Sequence, residues 1–382
     1  MCVIIAFDTV LLSNRYRNTG IHEYAKNLFA QFRGMLRDDS SVRIRHFVSF
    51  GYSDESVDWR SSPGCQAVDT SLLQFHRLWR LGLGSVAAAR AKANVIFSPG
   101  PAILPSKLLP VAVTIHDAMP ERLPADIVAK SAISKAASWV SAKWSQKILT
   151  DSENSKRDLM EIYNLRADKI SVVYLGYNRI LFNPLIANPD RQSKVLARLG
   201  IRRPFILHHG MVQLRKNLDK LIEAYRILRS RNRSSRPQLV LAGDFGWGST
   251  SLLKRANGDV EHNNIIFTGA LPEEDLALVV KAAALCVIPS LYEGFCLPLV
   301  EAMACGVPTI ASNTSCLPEI SGGLLRYFNP LDADEIAAMI DLALHSTQLR
   351  RELSNAGLKR ASEFSWRRCA LETLSALKEL SN

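Results

Sequence analysis

"LCVIPSLYEGFCLPLVEAMACGVPTIAS" (residues 285–312) reads as a strand, a turn, a helix and a second strand. The apolar run "LCVIPS" stops at Pro289 and Ser290, and "LYEGF" turns the chain, with Gly294 permitting tight backbone geometry. Pro298 suits the first turn of a helix and Gly306 can end it, after which "PTIAS" starts a new strand. A strand, helix and strand in so short a span predict parallel strands joined by a crossover helix. Two carboxylates interrupt this otherwise almost uncharged stretch. Glu293 falls in the loop at the strand's C-terminal end, and Glu301 one turn inside the helix.

The same rhythm extends in both directions. "PFILHHG" (204–210), "QLVLAGD" (238–244) and "NIIFTG" (264–269) predict further strands, with helices near 217–231, 273–283 and 298–305. Earlier strands fit 2–8, 42–50, 94–99, 111–117, 147–152 and 170–176, and helices fit 21–36, 125–145 and 152–163, the last with Ser152 as N-cap. The Pro- and Asn-bearing stretch "NRILFNPLIANPDRQS" (178–193) reads as a connection between domains. The expected fold class is therefore α/β: two Rossmann-like, doubly wound domains, 1–183 and 184–365, facing across a cleft. The closing helix pattern, 366–382, can pack back on the first domain or stay with the second. Open parallel sheets bind ligands beyond the carboxyl ends of their strands, which directs attention to the loops there.

With 382 residues, 47% hydrophobic and 22% charged, the chain is long enough for two cores. No apolar run approaches the ~20 residues of a membrane span, and "MCVIIAFDTV" lacks the basic region and cleavage site of a signal peptide, so a cytoplasmic protein is expected. Seven scattered cysteines, without C-x-x-C or zinc-finger spacing, read as reduced core thiols. The formal charge of +11 asks for an anionic partner, and the excess leans to the N-terminal half, where residues 1–183 hold 23 Lys and Arg against 16 Asp and Glu. Neither a Walker A loop nor G-x-G-x-x-G after a strand is found, and no nucleic-acid-binding motif supports that class of partner.

Several side chains suggest chemistry on their own terms. A carboxylate accepts hydrogen bonds from two neighbouring hydroxyls and so reads sugar diols, while a helix N-terminus favours phosphate. Glu301 can equally cap or pair at a surface, and a Glu293–Glu301 pair acting on a glycoside would need about 5–5.5 Å between carboxyls in a retaining hydrolase. "RKN" (215–217) at a helix start can be a solvated basic cluster, or Lys216 can be a fixed cation stabilising a departing diphosphate. His116 ends a strand, where a structural role is as open as a reactive one. His208 and His209 alternate sides of their strand, so joint metal ligation is not expected.

The chain resembles the retaining glycosyltransferases of family 4, which have the GT-B fold. The resemblance rests on the E-x7-E block above and on "TGIHEYAKNL" (19–28), "VTIHD" (113–117), "TDSENSKRDL" (150–159), "KISVVYLGYN" (169–178), "GMVQLRKNLDKLIEAY" (210–225) and "FTGALPEEDL" (267–276), in that family's order. It implies that Glu301 holds the nucleotide ribose, that Glu293 lies near the donor sugar's hydroxyls, and that the backbone of Gly294, Phe295, Cys296 and Leu297 lines sugar and phosphate. Lys216, helped by Arg215, would face the donor diphosphate beside Gly210; His116 would contact the donor sugar; Gly20 would belong to the glycine loop before the first helix. The catalytic set implied is thus His116, Lys216 and Glu293. Three positions depart from the pattern: Cys296 where glycine is common, Gly210-Met211 in place of a second basic residue, and Thr19 in place of a second glycine.

The resemblance implies transfer of a hexosyl group from a nucleotide sugar to a saccharide or lipid-linked saccharide, with retention, by front-face attack. The "RKN" variant and block pattern are most similar to bacterial mannosyltransferase-type members, so GDP-mannose is the first donor expected, in cell-surface polysaccharide synthesis. No cofactor or metal is expected, the D-x-D arrangement of metal-dependent sugar transferases being read as missing. The alternatives are an epimerase or phosphorylase on the same fold, or a silent nucleotide-sugar-binding or membrane-scaffolding protein. Two segments that mix Lys or Arg with Trp, 74–93 and 128–147, are candidates for contact with an anionic membrane surface, which would make the protein peripheral.

Overall fold

The computed structural model of the chain describes residues 3–8, 20–35, 42–48, 65–69, 84–101, 106–127, 132–231, 237–261 and 264–381. Its contacts divide into two compact units: residues 1–121, 130–176 and 365–382 in one, 122–129 and 177–364 in the other.

The first unit holds a seven-stranded sheet: β1 (Val3–Asp8), β2 (Val42–Val48), β3 (Cys65–Asp69), β4 (Val95–Ser98), β5 (Val111–Thr114), β6 (Lys147–Thr150) and β7 (Ile170–Val172). The order is β3-β2-β1-β4-β5-β6-β7, with every pairing parallel. The second unit repeats the plan with β8 (Phe205–His209), β9 (Gln238–Ala242), β10 (Ile265–Gly269), β11 (Leu285–Ile288), β12 (Thr309–Ser312) and β13 (Arg326–Phe328), ordered β10-β9-β8-β11-β12-β13 and again parallel throughout. The strands are apolar runs without in-out alternation because helices cover both faces; β8, β9 and β11 are buried along their whole length. In the first unit the β1–β4 seam is filled by aromatic rings, Phe7 meeting Phe29, Phe32 and Phe97 at 5.0, 6.2 and 5.5 Å between centroids.

In each sheet the winding reverses once, between β1 and β4 and between β8 and β11, where the following loops diverge and leave room above the strand ends. The crossover helices obey ordinary end rules. Ser152 caps the helix Glu153–Tyr163 by accepting from Ser155 N at 3.1 Å. The stretch read as a connection, 178–193, turns helical from Pro189: Asn188 caps the helix Pro189–Arg198 and proline stands in its first turn. That helix is fixed by Arg191 and Arg198, both paired with Asp275 of the helix Glu273–Ala282, at 3.0 and 2.7 Å.

The chain passes between the units four times, and the passages at 176–177 and 364–365 are tied to their surroundings. Arg179 donates to the carbonyls of Ser362 and Phe364, each at 2.7 Å. A Cβ at Gly176 would lie 2.0 Å from Trp366 N and 2.4 Å from the Ser365 carbonyl carbon, so only glycine lets these backbones meet. The helix Trp366–Ser381 then packs on the helix Gly20–Met35 and on β1, β4 and β6.

Candidate active site

In the second unit the loops that follow β8 and β11 carry the charged groups. After β8 the chain makes a short 3-10 turn, Leu214–Lys216, closed by Asn217 in the left-handed region. After β11 it runs through Ser290–Cys296 into the helix Leu297–Ala304. The two loops are knit together: Leu291 N donates to Arg215 O at 2.9 Å, and Asn217 Nδ2 donates to the carbonyls of Pro289 and Pro330 at 3.1 and 2.7 Å. Asn217 is thus the residue that sets the height of the β11 loop against Lys216.

The contacts of Glu293 follow from that placement. One carboxylate oxygen accepts from Lys216 Nζ at 2.5 Å and from Ser290 Oγ at 2.7 Å; the other accepts from Arg215 Nη1 at 2.6 Å. Its backbone N–H donates to Ser315 Oγ at 3.0 Å. Lys216 and Glu293 are both 4% exposed, so this is a desolvated cluster. Burial alone would raise the Glu293 pKa, but Arg215 and Lys216 outweigh it and hold the carboxyl at about 2. Two cations around one carboxylate leave a net positive group at the switch point of the second sheet, suited to an anionic ligand. Gly210, at φ +115°, leaves open the space beside Lys216: a Cβ there would sit 3.2 Å from Pro298 Cγ and 3.8 Å from Lys216 Nζ.

Cys296 resolves into a backbone matter. It occupies the N-cap of the helix Leu297–Ala304 at φ +73°, a conformation in which glycine carries no Cβ penalty. The cysteine keeps it while 5% exposed, and burial pushes its thiol up to about 12, which leaves it protonated and unreactive. Gly294 and Phe295 are likewise buried and Leu297 half-buried, with the Phe295 ring edge-on to Phe364 at 5.4 Å.

Glu301 stays partly open, its side chain 16% exposed. A neighbour that sequence reasoning missed faces it. His209 Nδ1 stands 3.5 Å from Glu301 Oε2, while Nε2 donates to Pro298 O at 3.0 Å. Burial and the adjacent His208 depress the His209 pKa to about 3, so the ring is neutral; with the hydrogen on Nε2, the nitrogen facing Glu301 is an acceptor. Two acceptors side by side suit a ligand hydroxyl that donates between them. His208 turns elsewhere, Nδ1 donating to Val287 O at 3.0 Å, so the two histidines share no ligand position.

The first unit brings its own polar groups to the strand ends. Ser98 donates to Asp8 at 3.0 Å across the β1–β4 switch point. His116, two residues beyond β5, has Nδ1 2.7 Å from Asp151 Oδ2 and Nε2 3.2 Å from Pro99 O. Asp117 accepts from Met119 N at 3.1 Å, opening the short helix Met119–Arg122. Gly20 is not in a loop: it is the first, exposed residue of the helix Gly20–Met35, and the residues before it lie outside those described. The D-x-D letters do occur, at Asp332-Ala333-Asp334, which the sequence reading overlooked. There Asp332 caps the helix Ala333–His345 by accepting from Glu335 N at 3.0 Å, and Asp334 pairs with Arg231 at 2.6 Å.

Residues 194–360 match the family described as glycosyl transferases group 1. The chain is 35% identical over 395 aligned residues to O-antigen chain mannosyltransferase B of Escherichia coli, covering all of both chains. It is 30% identical to the MMP alpha-(1->4)-mannosyltransferase of Mycolicibacterium hassiacum over 61% of this chain and 54% of that one. Among solved structures, Anabaena HepE in complex with UDP and glucose superposes with a TM-score of 0.73 at 18% identity, over 99% of this chain and 100% of the other.

Proposed function

Since the chain belongs to the group 1 glycosyl transferases, the retaining hexosyltransferases of family 4 with the GT-B fold, we propose that it transfers a mannosyl group from GDP-mannose to a saccharide or lipid-linked saccharide, without a metal, in cell-surface polysaccharide synthesis. The observation that carries the reading is the Arg215–Lys216–Glu293 cluster at the β8–β11 switch point, with Lys216 and Glu293 buried, in a chain alike over its full length to an O-antigen mannosyltransferase.

On this reading Lys216 and Arg215 face the donor diphosphate. The leaving nucleoside diphosphate gains charge in the transition state, and cations already held in place by Glu293 stabilise it without reorganising. Glu293 is the counter-charge that positions both and, through the one lone-pair site left on the oxygen that accepts from Arg215, meets a sugar hydroxyl. Glu301 accepts from the ribose hydroxyls, with His209 Nδ1 as a second acceptor. The backbone of Gly294, Phe295, Cys296 and Leu297 lines sugar and phosphate, with Gly210 keeping the space beside Lys216 clear. His116 contacts the donor sugar near the reacting carbon, and Gly20 lies beside the diphosphate. Among the described residues no helix is long and apolar enough to cross a membrane; a lipid-linked acceptor is, on this reading, met at the cytoplasmic membrane surface.

The test is transfer from a panel of nucleotide sugars to a mannosylated acceptor, with Lys216→Ala beside the parent. GDP-mannose should be consumed only when acceptor is present, and the variant should lose about 10²–10³-fold in kcat. Consumption of donor without acceptor would favour an epimerase or phosphorylase, and undiminished transfer by Lys216→Ala would remove that residue from the mechanism.

A further inference from the structure

His116 stands between two oxygens whose hydrogen-bonding needs constrain where its protons sit. Nδ1 lies 2.7 Å from a carboxylate oxygen of Asp151, and Nε2 lies 3.2 Å from the carbonyl oxygen of Pro99. With Asp151 ionised, both partners accept and neither donates. A neutral imidazole has one N–H and leaves one of these contacts as a pair of facing lone pairs; the imidazolium satisfies both. Asp151 is fixed for this task in the loop after β6, 4% exposed, immediately before the Ser152 that caps the next helix. The ring plane is fixed as well: Tyr24, from the helix Gly20–Met35, meets it edge-to-face at 4.8 Å and 85°, and its own hydroxyl is bonded to Thr114 Oγ1 at 3.0 Å.

We propose that Asp151 is a positioning residue that holds His116 as a fixed imidazolium, so that the ring serves sugar transfer as a positive charge and hydrogen-bond donor and never as a base. The ring is already protonated before substrate arrives, and a group with no lone pair to offer cannot take the acceptor's proton. A ligand oxygen that replaces Pro99 O on Nε2 would receive a charge-assisted hydrogen bond, stronger than one from a neutral ring.

The charged groups around the ring favour the imidazolium, while burial disfavours it and also raises the Asp151 pKa against the pull of His116. Burial pulls the His116 pKa down, but Asp151 through charge and hydrogen bond, Asp117 next in the chain, and the Pro99 carbonyl push it up, and the net direction is upward. Tyr24 is held protonated by burial and so adds no charge, and Cys369, from the helix Trp366–Ser381, is likewise a neutral thiol. No cation from these elements opposes the imidazolium.

The inference rests on the assignment of His116 to the donor sugar, and its test separates the two. Nitrogen-15 NMR of the parent protein without substrate should find both His116 ring nitrogens protonated at neutral pH; a neutral ring there overturns the proposal without reference to activity. Asp151→Asn should lower kcat/KM ~10²-fold at neutral pH, move the alkaline limb of the profile to lower pH, and recover most of the loss on acidification as His116 regains its proton. A merely structural role for Asp151 would cost activity equally at all pH values, and that outcome overturns the proposal. If His116→Ala transfers sugar at the parent rate, the assignment of His116 fails instead, whatever its charge.

Discussion

His208 and His209 stand side by side in β8, each 1% exposed, and both are kept neutral by the same burial that makes β8 a core strand. The His208 pKa falls from its ordinary 6.5 to about 4, chiefly through burial and then through Lys216. For His209 the value is about 3, with His208 as the second cause. Because both folded values are lowered, the unfolded chain binds more protons between them and about 6.5, so stability rises with pH across that window and is lost as pH falls through it. Glu293, held at about 2, adds a loss of the same sign that begins below its unfolded value, 4.5. Each histidine contributes a slope of up to ~1.4 kcal/mol per pH unit. We therefore expect denaturant unfolding to show a steep decline in stability from about pH 6.5 to 4, and His208→Asn, which can still donate to Val287 O, to remove one histidine's share of it. An unchanged slope in that variant would show that His208 is not a buried neutral base.

At the scale of elements, Gly176 decides whether two passages of the chain can meet. Its missing Cβ would stand 2.0 Å from Trp366 N and 2.7 Å from Trp366 Cα, and neither atom belongs to a side chain that could swing aside. Gly176→Ala should therefore destabilise by about 2 kcal/mol or more and loosen the helix Trp366–Ser381. A lower apparent unfolding temperature and faster hydrogen exchange in that helix would report it; parent-like values would mean the backbones can part at no cost. Nothing in the letters around Gly176 announces this, since its neighbour lies far along the chain. By contrast, most strands of both sheets and the helices flanking the site were legible because buried parallel strands are short apolar runs ended by Pro, Gly and Ser. The strand Cys65–Asp69, with Gln66 and Asp69 in it, and the three-residue Arg326–Phe328 carry no such run and were missed. The helices Ser249–Glu261, Ala333–His345 and Thr347–Ala361 were passed over although Asp332 and Ser346 mark two of their starts. The site divided along the same line: the placement of Glu293 and Glu301 could be read from strand-loop-helix spacing and Lys216 was singled out through the family resemblance, whereas the pairing of Glu293 with both cations, the Asn217 brace, and the His209–Glu301 and His116–Asp151 contacts join residues remote in sequence.

For the molecule as a whole, the charge of +11 still needs a partner larger than one nucleotide sugar. Of the two Trp-bearing basic segments, 74–83 lies outside the described residues and the rest of the first includes the helix Gly84–Arg90. In the second, the helix Ala132–Trp144 turns Trp139 and Trp144 outward, 49% and 56% exposed, so these rings are not spent on the core. Lys135, Trp139 and Lys143 recur every fourth residue and are all exposed, which lines cation, indole and cation along one side of the helix. Lys169 extends the basic strip, its ammonium donating to Lys143 O at 3.0 Å. Indoles settle at the headgroup level of a bilayer, and each nearby Lys or Arg adds about 1 kcal/mol of attraction to an anionic leaflet. The protein should therefore float with vesicles containing phosphatidylglycerol and not with purely zwitterionic ones. Salt should weaken the association, because the screening length shrinks to about 3 Å at 1 M. Trp139→Ala with Trp144→Ala should reduce flotation while leaving transfer to a soluble acceptor at the parent rate, since neither ring is assigned to the sugar-transfer groups. Flotation that ignores both lipid charge and the two tryptophans would send the basic excess in search of a different partner.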